Sequence, residues 1–327
     1  MQSLDFKYNY VILGDSGYYL TGYRDIMTLP NVVYHTSFYD AFSNIFSRGI
    51  VRLHFSKTVN RFVKNPFESF VYPRIYPFSF NNNKPICFLY FVDYYILNSS
   101  YIDYLHKKYP TAKHVLFYQD LVDSNSWMDV AKMHETMDLL ISYDMGDCRK
   151  YDLEFHPTPM SYSEVQENDN LESSDIYFCG YAKTRYPYIH KLYDFFTSVG
   201  IKCDFNLMKM PKDAPRIEGV KYHEKPFDYT ENLQHVIKTK SVLEIMQEGA
   251  NGFTPRLWEA IMYDRHLLTN NKSVKTSKYY QTDAIHEISE ESLSDILSII
   301  EKPVHFSESI KEMLSPIHLL HFIDQKL

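Results

Sequence analysis

Short apolar runs alternate with helix-length amphipathic stretches along this chain, and the whole alternation occurs twice. In the first half, Tyr10–Gly14 (YVILG) reads as a strand ending in a glycine turn, followed by strands in NVVYHT, PICFLYFV and HVLFYQ (His114–Gln119). A helix around SYIDYLHKKYP separates the last two, and WMDVAKMHETM is a helix leading into the strand Asp138–Tyr143. Strands with no polar alternation, interleaved with helices, are buried on both faces, the pattern of a parallel sheet covered by helices. The polar stretch Ser161–Asp175 has no apolar period and reads as an interdomain linker. The pattern then restarts with the strand Ile176–Gly180 (IYFCG) and an amphipathic helix, YIHKLYDFFTSVG, capped by Gly200. Strands in KCDFNLM, GVKYHE, SVLEIM and Arg265–Asn270 follow, with TENLQHVIKTK as a helix among them. Helices over Glu290–Glu301 and Pro316–Asp324, the latter with Ser315 as N-cap, close the chain. The reading is two doubly wound α/β domains in tandem, 1–165 and 172–305, with a C-terminal helical segment, 306–327. In such sheets ligands bind beyond the carboxyl ends of the strands, and two domains facing each other make a cleft between them.

Composition removes several classes of function. A chain of 327 residues with 45% hydrophobic side chains and a net charge of -7 is globular and lacks the basic balance of a general nucleic-acid binder. Cys87, Cys148, Cys179 and Cys203 are far apart, with neither zinc spacing nor a disulfide framework, which points to a reducing cytosol. The start, MQSLDFKYNY, has neither the basic end nor the apolar core of a secretory signal, and the apolar run Pro85–Leu97 is interrupted by Asp93 and too short to span a bilayer. These features make a soluble or peripheral protein the expectation. The 29 Tyr and 22 Phe fit an AT-rich coding sequence and carry no functional argument.

Glycine is scarce, with 10 in the chain, yet Gly249 and Gly252 fall close together in EGANGFTPRLWEA (Glu248–Ala260). Thr254 suits an N-cap and Pro255 the first helical position, so the unit is strand, glycine loop, capped helix. A helix N-terminus attracts anions such as phosphate, and Arg256, in the first turn, opposes the dipole and calls for an anionic partner. An ordinary strand-to-helix turn with a solvated arginine is the plain alternative.

The stretch FDYTENLQHVIKTKSVLEIMQEGANGFTPRLWEAIMYDRHLLTNN, with KYYQTDAI after it, resembles the donor-binding half of bacterial GT-B glycosyltransferases of capsule, exopolysaccharide and lipopolysaccharide gene clusters. MDLLISYDMGDCRKYDLEFHPTPMSY resembles the end of the acceptor domain in that group, and DIYFCGYAKTRYPYIHKLYDFF the opening of the donor domain. The resemblance implies a GT-B fold of two Rossmann-like domains facing a central cleft, with C-terminal helices packing back toward the first domain. It implies a donor that is a UDP-, dTDP- or GDP-sugar, used as substrate with no further cofactor. It further implies an acceptor that is a glycan or a lipid-linked glycan, and work in the cytoplasm or at the inner face of the cell membrane.

By that resemblance, Gly252, Thr254 and Arg256 receive the pyrophosphate, with Lys183 and Arg185 reaching it from the first loop of the second domain. Glu259, one turn along, takes the ribose hydroxyls, Tyr229 lies by the nucleobase, and Glu248 belongs to the same loop. One departure stands out. Retaining members carry two glutamates with seven residues between them; stepping back that far from Glu259 reaches Asn251, which leaves inversion and retention both open. No Asp-x-Asp occurs, in keeping with a group that needs no metal. An inverting mechanism takes its base from the first domain, where Asp15, Asp93 and Asp120 each follow a strand. Each also reads as a cap or turn residue.

A rival reading starts from GDSG (Gly14–Gly17) and DAIH (Asp283–His286), which resemble the serine block and late Asp-x-x-His of SGNH esterases, with Ser16, Asp283 and His286 as the triad. Against it, Gly17 stands where a leucine is expected, and a single small domain leaves the second restart without a purpose. A third reading is a non-catalytic sugar-binding relic of the transferase fold. Finally, Arg48, Arg52, Lys57, Arg61 and Lys64 run without an acid between Asp40 and Glu68. Helical wheels put Phe46, Ile50 and Leu53 on one apolar face and Phe55, Val59, Phe62 and Val63 on another, with a bend between. Arg48, Arg52 and Arg61 then form a basic face that suits either an anionic membrane or plain solvation.

Overall fold

The computed structural model describes residues 4–14, 18–211, 213–225, 228–247, 252–289, 293 and 296–327. The chain divides into two units, Met1–Pro159 with Pro316–Leu327, and Met160–Ser315.

Unit 1 is built on a parallel sheet of β1 (Asn9–Leu13), β2 (Val32–His35), β3 (Ile86–Phe91), β4 (Lys113–Tyr118), β5 (Leu139–Ser142) and β6 (Glu154–Phe155), in the order β2-β1-β3-β4-β5-β6. The uninterrupted apolar runs are explained by burial on both faces. Val11 and Leu13 of β1 join one core, with Phe88, Tyr90 and Leu116, while Tyr10 and Ile12 join the other, with Leu89 and Phe117. That second core is closed by the helix Pro316–Lys326, whose Leu319, Leu320 and Ile323 are buried in it. Tyr10 fixes the helix by donating its hydroxyl to the Leu320 carbonyl at 2.9 Å and to Asp324 Oδ1 at 2.6 Å.

Unit 2 repeats the plan with β7 (Ser174–Tyr181), β8 (Cys203–Met208), β9 (Lys221–His223), β10 (Thr239–Glu244), β11 (His266–Thr269) and β12 (Ile285–Glu287), all parallel, in the order β12-β11-β10-β7-β8-β9. After the helix Tyr186–Ser198 the chain reverses through Gly200 at φ 81°, a left-handed position that suits glycine. Each sheet reverses its strand order once, between β1 and β3 in unit 1 and between β7 and β10 in unit 2. The crests of those strand pairs are where such sheets hold ligands.

Several expectations are corrected. The sequence reading has 306–327 as one segment, but the helix Glu308–Leu314 belongs to unit 2 and Pro316–Lys326 to unit 1. The polar stretch Ser161–Asp175 has no helix or strand before Ser174 and is largely exposed, but its start is held in place. Met160, Ser161 and Ser163 are buried, the Met160 N–H donates to the Leu314 carbonyl at 2.7 Å, and the Tyr263 hydroxyl to the Ser163 carbonyl at 3.0 Å. The basic strip contains one helix, Ile45–His54, and a short 3-10 turn, Val59–Arg61. The helix buries Ser47, Val51 and His54; of the expected apolar face, Ile50 is half-buried against the core while Phe46 and Leu53 are exposed. In the second half Phe55 is buried while Phe62 and Val63 are exposed.

Candidate functional site

β7 ends on Gly180 and Tyr181, the chain turns through Ala182 to Arg185, and the helix Tyr186–Ser198 begins. The Arg185 guanidinium folds back over the crest, donating Nη1 to the Ile245 carbonyl, just past β10, and Nη2 to the Tyr181 carbonyl. Arg256 arrives from the first turn of the helix Pro255–Met262 and donates Nη2 to the Cys179 carbonyl. The two guanidiniums meet over Gly180. A Cβ there would stand 3.0 Å from Arg256 Nη2 and 3.5 Å from Arg185 Nη2, so the absent side chain makes room for both.

Among the described residues, neither arginine has an ion pair with a carboxylate. Burial, and then the charge of Arg256, pull the Arg185 pKa down to about 10. Arg185 Nε is buried with no hydrogen-bond partner. The two partly buried cations, bonded to carbonyls, repel each other, while the Glu244 and Glu259 carboxyls act on Arg256 from beyond ion-pair range.

The helix beside them is firmly tied. Thr254 is its N-cap, accepting from the Arg256 N–H at 3.3 Å and donating its hydroxyl to Glu244 Oε1 at 2.5 Å. Glu244, the last residue of β10 and 1% exposed, also accepts from the Thr269 hydroxyl at 2.5 Å. One turn beyond Arg256, Glu259 is 3% exposed, and its Oε1 accepts from the Tyr229 hydroxyl and from Asn232 Nδ2, both at 3.0 Å. Burial raises the pKa of both carboxyls, partly offset by Arg256 and by their hydrogen-bond donors. The crest therefore holds two guanidiniums and a helix N-terminus, with two buried carboxyls behind them. It is suited to a compact dianion with a polar group attached.

Of the donor residues read from the sequence, Arg185, Thr254, Arg256, Glu259 and Tyr229 are linked by these contacts. Gly252 is buried, its carbonyl accepting from Asn271 Nδ2 at 3.1 Å. Lys183 is exposed at φ 43°, with its ammonium over the Tyr181 ring, 5.7 Å from the centroid. Glu248 lies outside the described residues, as does Asn251. The sequence reading does not single out Glu244, although a carboxylate inside the apolar run SVLEIM is an available signal. Asn232 was likewise passed over as an ordinary helix residue.

In unit 1 a cavity of about 390 Å³ opens at the crests of β1 and β3, lined among others by Gly14, Ser37, Tyr39, Asp93, Gln119 and Asp120. Asp93 and Asp120 are thus brought together, while Asp15 lies outside the described residues. Asp93 also caps the short helix Tyr94–Leu97, its Oδ1 accepting from the Ile96 N–H at 2.9 Å. Asp120 is exposed. Gln119 donates Nε2 to the Tyr23 hydroxyl at 2.7 Å, and its Oε1 is buried without a hydrogen-bond partner. Tyr39, Tyr76 and Tyr95 add aromatic faces, and no lysine or arginine is among the described lining residues. Among the described residues, no group of three or more His, Cys, Asp or Glu side chains is placed to hold a metal ion.

The esterase reading is not supported. Ser16 lies outside the described residues. His286 sits in β12 with Nε2 hydrogen-bonded to His266 Nδ1 at 3.1 Å; burial, and then His266, hold its pKa down to about 4. An imidazole so placed is a poor general base, and two six-stranded sheets are not one small esterase domain.

No protein-family model matches the chain, and no curated protein matches it significantly in sequence. Solved structures do match over nearly the full length. One is an alpha-glucosyltransferase in complex with UDP and a 13-mer DNA containing a HMU base, at TM-score 0.55 and 8% identity, covering 96% of this chain and 94% of that one. Another is an alpha-glucosyltransferase in complex with UDP-glucose and DNA containing an abasic site, at TM-score 0.54 and 11% identity, covering 97% and 93%. A third, described as trehalose-6-phosphate from E. coli bound with UDP-2-fluoro glucose, matches at TM-score 0.50 and 10% identity, covering 97% and 98%. The likeness shows the fold, which is GT-B: two doubly wound, Rossmann-like α/β units in tandem.

Proposed function

We propose that this protein is a glycosyltransferase that moves a sugar from a nucleoside diphosphate to a hydroxyl of a glycan. The observation that carries the reading is the meeting of Arg185 and Arg256 over Gly180, at the strand-order reversal of unit 2, without a carboxylate partner among the described residues. A sugar diphosphate supplies an anion in direct contact with both guanidiniums. As the bond from the anomeric carbon to the phosphate oxygen breaks, its electron pair stays on the diphosphate, where both guanidiniums and the capped helix end stabilise the growing charge. Glu259, one helical turn away, is the acidic group for the ribose hydroxyls, with Tyr229 and Asn232 holding it in place.

The cavity of unit 1 is the acceptor site in this reading. Hydroxyls, amides and aromatic faces suit a sugar ring. In an inverting transfer, Asp93, Asp120 or Asp15, the last outside the described residues, takes the proton of the attacking hydroxyl as its oxygen bonds to the anomeric carbon. The likeness to structures holding UDP and UDP-sugars makes UDP the first donor nucleotide to test. The sequence resemblance supports a surface polysaccharide as the acceptor.

A thermal-shift panel of UDP, GDP, dTDP and CMP tests the reading. A ligand that binds the folded chain stabilises it by mass action, by about 2.7 kcal/mol at a hundred times its Kd. The expected result is a clear rise in melting temperature with UDP and a smaller one, or none, with CMP. No rise with any of the four contradicts the proposal.

A further inference from the structure

Residues 45–67 of unit 1 present apolar and basic side chains to solvent together. Ile45, Phe46, Leu53, Phe62, Val63 and Phe67 are exposed, Ile45 at 91%, Phe62 at 85% and Phe46 at 77%. On the helix Ile45–His54 the inward side carries Ser47, Val51 and His54, with Ile50 half-buried, so Ile45, Phe46 and Leu53 lie off it. Arg48, Arg52, Lys57, Arg61 and Lys64 are exposed on the same segment. No acid occurs between Asp40 and Glu68, a local reversal of sign in a chain of net charge -7. The segment also adjoins the cavity. The Phe55 ring lies 4.5 Å from that of Phe38 and 6.2 Å from that of Tyr95, and both of these line it.

We propose that this surface docks on an anionic lipid bilayer and so presents the unit 1 cavity to acceptors anchored in that membrane; the second clause rests on the glycosyltransferase reading. A bilayer interface satisfies both kinds of side chain at once, cations at the headgroups and apolar chains at the acyl boundary. A nucleic acid would pair the cations and leave six large apolar groups in water. Among the described residues no helix is long and apolar enough to cross a membrane, so the contact is made at the surface.

Co-sedimentation of the full chain with vesicles of phosphatidylcholine alone, and of phosphatidylcholine mixed with phosphatidylglycerol, tests this at low and high salt. Wild type is expected to pellet with the anionic vesicles, less so as salt screens the attraction. The triple variant Arg52→Glu, Arg61→Glu, Lys64→Glu is expected to lose on the order of a hundredfold or more, at roughly fivefold per charge. Arg48 is kept, because its Nε donates to the Phe42 carbonyl at 2.8 Å. The double variant Phe46→Ser, Phe62→Ser is expected to weaken binding at both salt concentrations. All variants should keep their melting temperature and the UDP response of wild type.

Three results overturn the proposal: wild type ignoring anionic vesicles at low salt, the serine variant pelleting as wild type does, or a wild-type dimer that the serine variant turns into a monomer. The last would give the surface to a second copy of the chain. A wild type that binds vesicles but ignores every nucleotide speaks against the transferase reading and leaves the bilayer contact standing.

Discussion

Glu259 is 3% exposed and shares one oxygen between Tyr229 and Asn232. Burial raises its pKa above the ordinary 4.5, so the folded chain holds the proton more tightly than the unfolded one. Its contribution is therefore most favourable below that ordinary value and is lost as pH rises through the raised one. Glu259→Gln removes the ionisation and keeps an acceptor for both donors. The variant is expected to melt above wild type at pH 8 and to converge with it toward pH 4, in melts without nucleotide. It should also bind uridine and UDP more weakly by a similar factor. A variant with wild-type uridine affinity would remove Glu259 from the ribose. At this scale the sequence was informative where local chemistry is self-announcing. Thr254, Pro255 and Arg256 declare a capped helix with an unexplained cation. Glu244 makes no such announcement, because its partners Thr254 and Thr269 come from different elements and only the fold joins them.

The helix Pro255–Met262 depends on that junction. Thr254→Ala removes an N-cap, worth about 1 kcal/mol, and strips a donor from a buried carboxyl, worth about another 1–3 kcal/mol. A urea unfolding midpoint lowered by the equivalent of about 2–4 kcal/mol is expected, and an unchanged midpoint would show that Glu244 is satisfied without Thr254. Among elements, the long strands were legible because an uninterrupted apolar run has few other places to go. β6 and β12 are too short for a period to show. Of the apolar stripe on the helix Ile45–His54, Ile50 alone packs on the core. An apolar stripe was assumed to face a core, yet Ser47, Val51 and His54 point inward and Phe46 outward. The assumption that apolar means buried fails where a surface has its own use for apolar groups.

For the whole molecule, the double restart of strand and helix was the strongest signal. It leads directly to two parallel sheets, each with its strand order reversed once. The packing of the final helix on the first unit follows from the family resemblance and not from its own residues, since Leu319, Leu320 and Ile323 make an apolar stripe that any sheet face could accept. The same fold places the two arginines at the reversal of unit 2, and the functional account stands or falls there. Calorimetric titration of UDP and of uridine into wild type and Arg256→Ala tests it most directly. Removing one charge-assisted contact costs roughly 1.5–3 kcal/mol, so UDP affinity should fall about tenfold to a hundredfold while uridine affinity stays as in wild type. UDP binding to Arg256→Ala with wild-type affinity would contradict the account.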